Sequence, residues 1–414
     1  MKKVLLVAPV MSRSGYGEMG RFALRAMLNN PNLDVYLHNI RWGATGWIWE
    51  DDQERKMIDS LLQKTIMYQS NGGGQFNMSV QCTIPNEWKK ITPFDVGYTA
   101  GIETDKVAPT WLEKGNEMDK IVVISNHSKD VYKNTSYRAQ NERNGEIIED
   151  YKCTTPIDVV GFPNRNIKAE EMELELNHDF NFLCVAQLSP RKNVDAVINN
   201  FIEEFKNEDV GLLLKLNGAN DSVIDYHQCA NMFKEMSNTS KAEGWSCSIK
   251  LLHGNLTDAQ MQGVYQHPKV KAAVSLTHGE GFGLPLYEAS ANGLPVIATD
   301  WSGHLDFLTV DRKGKKKGKI KKFAAVKYVL NPIPENAVWQ GVLTSDSKWA
   351  IPNNKDAQKK MRDVYKNYNK WKKNANALAN SYKDDAYMYN KFCEAIGAND
   401  HVTEDSAEEG IKLL

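Results

Sequence analysis

The 414-residue chain lacks features that would assign it to several special classes of protein. Its six cysteines show no CxxC or CxxH spacing, so nothing local indicates a zinc module, and we expect reduced thiols in a cytoplasmic protein. No apolar run approaches the length of a membrane-spanning helix. The formal net charge is only −1, which argues against a protein devoted wholly to nucleic acid but leaves room for a local basic patch.

What the chain does contain is a repeated alternation of β-rich apolar runs and helical patterns. The opening run, MKKVLLVAPVM, has the basic start and apolar centre of a signal peptide, but no small-residue cleavage site follows, so we interpret it as a β-strand. Further strands are predicted at 33–40, 94–99, 121–124 and 157–160. A second series comprises FNFLCVA, GLLLKL, SIKLLHG, VKAAVSL and LPVIAT.

Length and alternation together predict the fold class. A chain of 414 residues exceeds what one hydrophobic core usually supports, and strands alternating with helices are typical of doubly wound parallel sheets. We therefore predict an α/β protein with two Rossmann-like domains, at 1–165 and 166–379, followed by a helical segment at 380–414.

The most informative segment is VKAAVSLTHGEGFGLPLYEASANGLPVIATD, at 270–300. It predicts a buried strand, a glycine-rich loop, a short helix with Pro285 in its first turn, and another strand after Gly293. The loop and helix start consist of Gly279, Glu280, Gly281, Phe282, Gly283 and Leu284. A helix N-terminus at the carboxyl edge of a parallel sheet favours phosphate, and Glu280 and Glu288 can reach hydroxyls on opposite sides of it. Hydroxyls on both sides of a diphosphate indicate a nucleotide sugar.

These residues carry a resemblance to a known group of enzymes. EGFGLPLYEASANGLPV resembles the Glu-x7-Glu signature of the retaining GT-B glycosyltransferases, particularly glycosyltransferase family 4. The resemblance implies two Rossmann-like domains facing a cleft, a nucleotide-sugar co-substrate of the UDP-sugar type, and no other cofactor. It implies that Glu280 binds sugar hydroxyls, that Glu288 binds ribose hydroxyls, and that 380–414 returns to the first domain. No Asp-x-Asp occurs, so we expect no metal bridging the diphosphate.

The resemblance extends to other loops of the predicted donor side. In the family a loop reading GRLSPEKN neutralises the diphosphate; here it reads AQLSPRKN. Lys192 matches the family lysine, Gln187 replaces the arginine, and Arg191 stands where the family often has glutamate and can restore the missing charge. A plain helix-start cap is the alternative. Backbone groups at His253 and Gly254 match the loop that holds the nucleobase.

Two further donor-side candidates have structural alternatives. His278 either touches the sugar or caps the strand before the glutamate loop. The Gly15-Tyr16-Gly17 turn of the first domain either approaches the sugar and diphosphate or serves only as a turn.

The acceptor side is less determined. Glu103 and Asp105 are candidates to orient the acceptor, or are solvated loop acids. Trp42, Trp47 and Trp49 predict a platform for a base or a sugar ring, or a packed loop. The run RKGKKKGKIKK at 312–322 either contacts nucleic-acid phosphates, contacts an anionic membrane or glycan, or is a solvated hairpin tip. Its central lysines are Lys315, Lys316 and Lys317.

The sequence therefore leads to a retaining glycosyltransferase as the main functional hypothesis, with a hydroxylated base in DNA as one acceptor. The alternatives are transfer to a glycan, lipid or small molecule, a GT-B phosphorylase or epimerase, and a catalytically weakened nucleic-acid or glycan-binding protein. The oligomeric state is left open.

Overall fold

The computed structural model describes residues 1–141, 143–218, 221–312, 318–398 and 411–413. The chain divides into two compact units. Unit 1 comprises 1–163, 332–348 and 385–414, and unit 2 comprises 164–331 and 349–384. Within the described residues, no helix has the length and apolar character needed to cross a membrane.

Unit 1 is built on a six-stranded parallel sheet. The strands of its N-terminal part are β1 (Lys2–Ala8), β2 (Leu33–Asn39), β3 (Met78–Cys82), β4 (Asp95–Thr99), β5 (Lys120–Val123), β6 (Tyr137–Asn141), β7 (Ile147–Tyr151) and β8 (Ile157–Val159). The helices are α1 (Gly15–Leu28), α2 (Gln53–Ser70), α3 (Pro109–Glu117) and α4 (Asn126–Asn134), with a 3-10 turn at Pro85–Glu87. The sheet order is β2-β1-β3-β4-β5-β8, and β6 and β7 form an antiparallel hairpin outside it.

Residues 15–17 do not form a separate turn, contrary to the sequence prediction. They are the first turn of α1, because the Ser14 side chain caps the helix by accepting a hydrogen bond from the Gly17 N–H at 3.1 Å. A Cβ at Gly17 would lie 1.9 Å from the Ser12 carbonyl oxygen, so the glycine permits close packing of the helix start. A larger residue at position 17 would clash with this carbonyl.

Unit 2 contains a second six-stranded parallel sheet. Its strands are β9 (Asn181–Gln187), β10 (Gly211–Asn217), β11 (Ser248–Leu252), β12 (Val270–Ser275), β13 (Val296–Thr299) and β16 (Ala324–Val326). Two separate pairs of strands are β14 (Thr309–Asp311) with β15 (Lys319–Lys321), and β17 (Tyr328–Pro332) with β18 (Lys348–Pro352). The helices are α5 (Val194–Phe205), α6 (Val223–Ala242), α7 (Asp258–Gln266), α8 (Leu284–Ala291), α9 (Leu305–Leu308), α10 (Asn354–Lys366) and α11 (Tyr368–Ala379), with a 3-10 turn at Pro190–Lys192.

The strand order of this sheet, β11-β10-β9-β12-β13-β16, reverses direction between β9 and β12. The chain first adds strands on one side of β9 and then returns to add β12 on the other side. The loops that follow β9 and β12 therefore diverge to opposite faces and leave a crevice at the carboxyl edge, where ligands bind in open α/β sheets. A hydrophobic core that includes Phe182, Phe201 and Phe205 holds α5 and α10 against this sheet.

The C-terminal part of the chain belongs to unit 1, through α12 (Asp385–Ala395) and β19 (Ile411–Leu413). Phe392 of α12 packs edge-on against Phe22 of α1 at 5.4 Å between ring centroids. Residues 332–348, which include a 3-10 turn at Glu335–Ala337, also belong to unit 1, although the sequence boundaries placed them in the second domain. The Asn86 side-chain amide donates to the Gly341 carbonyl at 2.8 Å, and Lys106 pairs with Asp346 at 2.5 Å. Contacts of this kind are long-range and leave no local sequence pattern.

Candidate functional site

The crevice between β9 and β12 brings together three charged residues that the sequence analysis singled out. Arg191 and Lys192 lie in the 3-10 turn after β9, and Glu280 lies in the loop after β12. The Lys192 ammonium donates to Glu280 Oε1 at 2.7 Å, and the Arg191 guanidinium donates to Glu280 Oε2 at 3.1 Å and to the Gly279 carbonyl at 2.7 Å. Two cations and one carboxylate thus form a single cluster at the switch point of the sheet.

The cluster holds Glu280 in its ionised form. Only 7% of Glu280 is exposed, and burial alone would raise its carboxyl pKa. The charges of Lys192 and Arg191 and the hydrogen bond from Lys192 outweigh burial and lower the pKa to about 2. The carboxylate is therefore charged throughout the neutral range, and it fixes the positions of both cations.

A second loop, which includes Ser302 and Gly303 and which the sequence analysis missed, is hydrogen-bonded to the glutamate loop. The Glu280 N–H donates to the Ser302 hydroxyl at 2.9 Å, and the Gly303 N–H donates to the Glu280 carbonyl at 2.9 Å. A Cβ at Gly303 would lie 1.9 Å from the Gly281 carbonyl oxygen, so only glycine allows the two loops to touch. The Ser-Gly pair, separated from the end of β13 by two residues, is the signal that could have identified this loop.

Glu288, the second glutamate of the motif, lies on α8 as predicted and is half-buried. The Tyr265 hydroxyl of α7 donates to Glu288 Oε2 at 2.8 Å. Burial raises the pKa of Tyr265 well above its usual value, and the charge of Glu288 adds to the rise, so the phenol stays a donor. The capping box formed by Thr257 and Gln260 fixes the start of α7. Tyr265 was not foreseen.

The remaining residues of the glutamate loop mainly support structure. The His278 ring stacks on Trp349 at 5.4 Å between centroids, and its Nδ1 lies 2.8 Å from the Ala350 carbonyl oxygen. This contact favours the structural alternative for His278. Phe282 is buried and packs against Phe307 at 4.9 Å between centroids, so its side chain belongs to the core. Gly281 is also buried, whereas Leu284 at the start of α8 is half-buried.

Three other predicted donor-side positions lie at the ends of their strands. Gln187 is exposed at the end of β9. Gly254 has a left-handed φ of 97°, no atom occupies the space beyond its Cα, and its carbonyl accepts a hydrogen bond from Lys215 at 2.6 Å. Burial lowers the pKa of the Lys215 ammonium to about 8. The His253 ring turns to Asp225, with Nε2 at 2.7 Å from the carboxylate.

In unit 1, the predicted tryptophan platform is partly exposed. Trp47 and Trp49 expose 53% and 72% of their surface, so packing under the loop does not account for them. Trp42 is half-buried and packs on the Tyr16 ring at 4.2 Å between centroids. The Tyr16 hydroxyl lies 2.8 Å from the Thr99 hydroxyl at the end of β4, and Gly15 is exposed at the start of α1.

The two acids proposed to orient an acceptor differ in their surroundings. Asp105 accepts a hydrogen bond from the Lys348 N–H at 2.7 Å, which ties the returning segment to unit 1 and gives this carboxylate a structural role. Glu103 is half-buried. Burial raises the pKa of the Tyr16 phenol, and the charge of Glu103 adds to that rise.

The described residues of the basic run at 312–322 lie in or beside an antiparallel pair of strands. Strands β14 and β15 pair through Thr309 with Lys321, and the Arg312 N–H donates to the Gly318 carbonyl at 2.8 Å. Lys321 also pairs with Asp300. The central lysines of the run, Lys315, Lys316 and Lys317, lie outside the described residues, as does Lys313.

Comparison with known proteins agrees with this architecture. Residues 167–316 match the family model described as Glycosyl transferases group 1. The structure is similar to Anabaena Alr3699/HepE, solved in complex with UDP and glucose, with 12% identity and a TM-score of 0.58 over 96% of this chain and 100% of that one. It is also similar to sucrose-phosphate synthase (tll1590) from Thermosynechococcus elongatus, with 10% identity and a TM-score of 0.56 over 95% of this chain and 98% of that one. No curated protein matches the chain in sequence.

The structural likeness and the two parallel sheets establish the GT-B fold class that the motif predicted. The matched stretch runs from before β9 to the hairpin, and it includes Arg191, Lys192, Glu280 and Glu288. Together, the fold and the family-model match support a glycosyltransferase.

Proposed function

We propose that the protein is a retaining glycosyltransferase that uses a nucleoside diphosphate sugar, of the UDP-sugar type, as its donor. The observation that carries the proposal is the cluster of Arg191, Lys192 and Glu280 at the switch point of unit 2. An ordinary βαβ unit has no need for two cations and a buried carboxylate at this edge. A group that leaves as a diphosphate needs positive charge placed in advance.

In this proposal, different residues of unit 2 bind the diphosphate, the ribose and the nucleobase of the donor. Lys192 and Arg191 neutralise the diphosphate, aided by the N-terminus of α8, which begins just after Gly283 with its left-handed φ of 93°. Glu288 accepts hydrogen bonds from the ribose hydroxyls, and Tyr265 holds the Glu288 carboxylate in place. The backbone at Gly254 faces the nucleobase. In this scheme Gln187 lies at the margin of the diphosphate site and adds no charge.

Glu280 has two functions in this scheme. It positions both cations, and it accepts a hydrogen bond from a sugar hydroxyl through a remaining lone pair. The ion pairs with Glu280 already hold the Lys192 and Arg191 side chains in place. Binding of the diphosphate therefore costs little conformational entropy of these two side chains. Retention follows from attack of the acceptor on the face that the diphosphate leaves, with a donor phosphate oxygen taking the acceptor proton. The protein supplies position and charge to this step.

Lys192→Ala is expected to weaken binding of a nucleoside diphosphate about tenfold or more, because one charge-assisted contact is worth about 1.5–3 kcal/mol. Calorimetry against a panel of nucleoside diphosphates would measure this loss and identify the preferred base. Lys206→Ala is the matched control, since Lys206 is an exposed lysine at the far end of α5. Equal affinity of wild type and Lys192→Ala would contradict the donor site.

For the acceptor, we propose a nucleic acid that carries a hydroxylated base. Support comes from the exposed Trp47 and Trp49, which offer stacking surfaces, and from the concentration of basic residues at 312–322. A base in a duplex must be flipped out to reach a transferase site, and exposed aromatic rings suit that step. Transfer to another hydroxyl acceptor is the competing outcome.

Reversing the charge of the basic run should change the salt dependence of DNA binding. The logarithm of the binding constant falls as the logarithm of the salt concentration rises, and each phosphate contact adds about 0.9 to the steepness of that fall. Replacing three lysines with glutamate should therefore make the slope shallower by about two to three. The residues are Lys315, Lys316 and Lys317. The charge-matched control is Lys359, Lys366 and Lys370 changed to glutamate, all exposed on α10 and α11. An equal change in slope for both triple variants, or none for the first, would contradict a DNA-binding role for the run.

A further inference from the structure

We propose that Asp225, Cys229 and His253 form a binding site for a zinc-like divalent cation in unit 2. One carboxylate oxygen, the thiol sulfur and one imidazole nitrogen all lie within 4.8 Å of one another. These are the three ligand types that Zn²⁺ uses in proteins. The chain has no CxxC or CxxH, so the cluster arises only from the fold.

Secondary structure places the three side chains together. Asp225 and Cys229 stand four residues apart on α6, so they share one face of that helix. His253 directly follows β11, the edge strand next to α6. Asp225 and Cys229 are buried at 7% and 2% exposure, and only 6% of the His253 side chain is exposed. The ligand atoms therefore face one another away from solvent.

The surroundings of the cluster are built to receive a carboxylate. The Gly218 N–H donates to Asp225 Oδ2 at 2.8 Å. This hydrogen bond, from a residue that is not itself a ligand, fixes the orientation of the carboxylate. A Cβ at Gly218 would lie 2.1 Å from Asp225 Oδ1, so glycine is required to admit it. The Asp225 N–H donates to Ser222, the N-cap of α6, and this fixes the first turn that carries the carboxylate.

The separations suit one cation after a small adjustment. Ligand atoms around a tetrahedral Zn²⁺ lie about 3.3–3.8 Å apart, given bonds of about 2.0–2.3 Å. His253 Nε2 and Asp225 Oδ2 would move apart from 2.7 Å as the cation replaces their hydrogen bond. The Cys229 thiol loses its proton to solvent, and the imidazole proton takes Nδ1 so that Nε2 presents its lone pair. Three protein ligands leave a fourth position for water.

The cation would add an attachment at the start of α6, where apolar side chains are exposed. The first two residues of the helix, Val223 and Ile224, are 70% and 72% exposed. Strand β11 is only half-buried along its length. A metal held by two residues of α6 and one at the end of β11 would join the helix start to the sheet edge and lower the free energy of the folded unit.

The test uses the full chain, freed of metal with a chelator and titrated with Co²⁺ and with Zn²⁺. The wild type should bind one equivalent and show a sulfur-to-cobalt charge-transfer band, and Zn²⁺ should raise its thermal unfolding midpoint. Cys229→Ser should lose the band, and His253→Gln should weaken binding about tenfold or more, since even outer contacts to a metal ligand contribute that much. Cys247→Ser, which changes another buried thiol of unit 2, should bind as the wild type does.

Two results would overturn the site: no cation bound by the wild type, or unchanged affinity in both Cys229→Ser and His253→Gln. Circular dichroism checks that each variant folds, and Asp225→Asn replaces any variant that does not. Nucleoside diphosphate binding by the metal-free protein is measured in parallel. Since Lys192 and Glu280 are not ligands of the cation, the metal site and the donor site can fail separately.

Discussion

Glu280→Gln is expected to lower transferase turnover about 100- to 1000-fold. The substitution keeps the shape of the side chain but removes the charge that holds Arg191 and Lys192 in place. Removing one preorganised contact to developing charge typically costs a factor of that size. Turnover is measured as release of nucleoside diphosphate on adding acceptor, which also separates a transferase from a GT-B phosphorylase or epimerase.

The same substitution is expected to destabilise the protein in a pH-dependent way. The folded-state pKa of Glu280, about 2, lies below the ordinary value of 4.5, so its ionisation contributes stability above the ordinary value. That contribution amounts to roughly 3 kcal/mol at neutral pH and falls to about half near pH 3. It is lost as the pH falls through the folded-state value. Urea unfolding of wild type and variant at several pH values measures the difference.

Glu203→Gln provides the control, because Glu203 is an exposed glutamate on α5 of the same unit. Its stability should differ from that of the wild type by less than about 0.5 kcal/mol at every pH. A Glu280→Gln variant that keeps wild-type turnover would show that the carboxylate does not organise the cations for the reaction. A difference in stability that stays constant down to the lowest pH would contradict the ion-pair explanation.

The segment at 270–300 was predictable because each local signal agrees with the others. The structure has β12, α8 and β13 in the predicted order, with Pro285 in the first turn of α8 and a left-handed φ of 69° at Gly293. Apolar runs identify strands that are buried on both faces, and β9 and β12 are of this kind. Once these elements are predicted, Glu280 falls in the loop before α8 and Glu288 falls within α8.

The partners of these glutamates were not predictable, because they depend on strand order. Lys192 lies 88 residues from Glu280 in the chain, and they meet only because β12 adds next to β9 instead of next to β11. Tyr265 reaches Glu288 for a similar reason, from the helix before β12. A sequence pattern specifies which side chains stand at a sheet edge, but neighbouring strands decide which of them touch.

Another difference between the predicted and the observed fold, strand β3, has a local cause. Strand β3, MSVQC, escaped notice because it is short and carries polar Ser79 and Gln81, both of which are buried. Ser79 donates to Asp95 at 2.5 Å, and the Gln81 amide donates to the Lys89 carbonyl at 2.6 Å, so each polar group has a partner. Buried polar residues that are satisfied in this way look like surface residues in a sequence. Hydrophobic periodicity cannot identify such a strand.

Glu288→Gln is expected to weaken nucleoside diphosphate binding about ten- to hundredfold, because it turns charge-assisted hydrogen bonds to the ribose hydroxyls into neutral ones. The test compares the nucleoside diphosphate with its 2′,3′-dideoxy analogue in calorimetry. The wild type should discriminate strongly between the two ligands, and the variant should bind both with the weak affinity that the wild type has for the analogue. The ribose contact is thereby separated from contacts to the base and the diphosphate.

Tyr265→Phe is the matched variant for this contact. It removes the hydroxyl that donates to Glu288 Oε2 but keeps the ring and the carboxylate charge. Its loss of affinity should be smaller than that of Glu288→Gln and should also vanish with the dideoxy analogue, because Tyr265 acts on the ribose only through Glu288. If Glu288→Gln weakened both ligands equally, the carboxylate would act on the diphosphate site or on the stability of α8 instead, and the ribose assignment would be wrong.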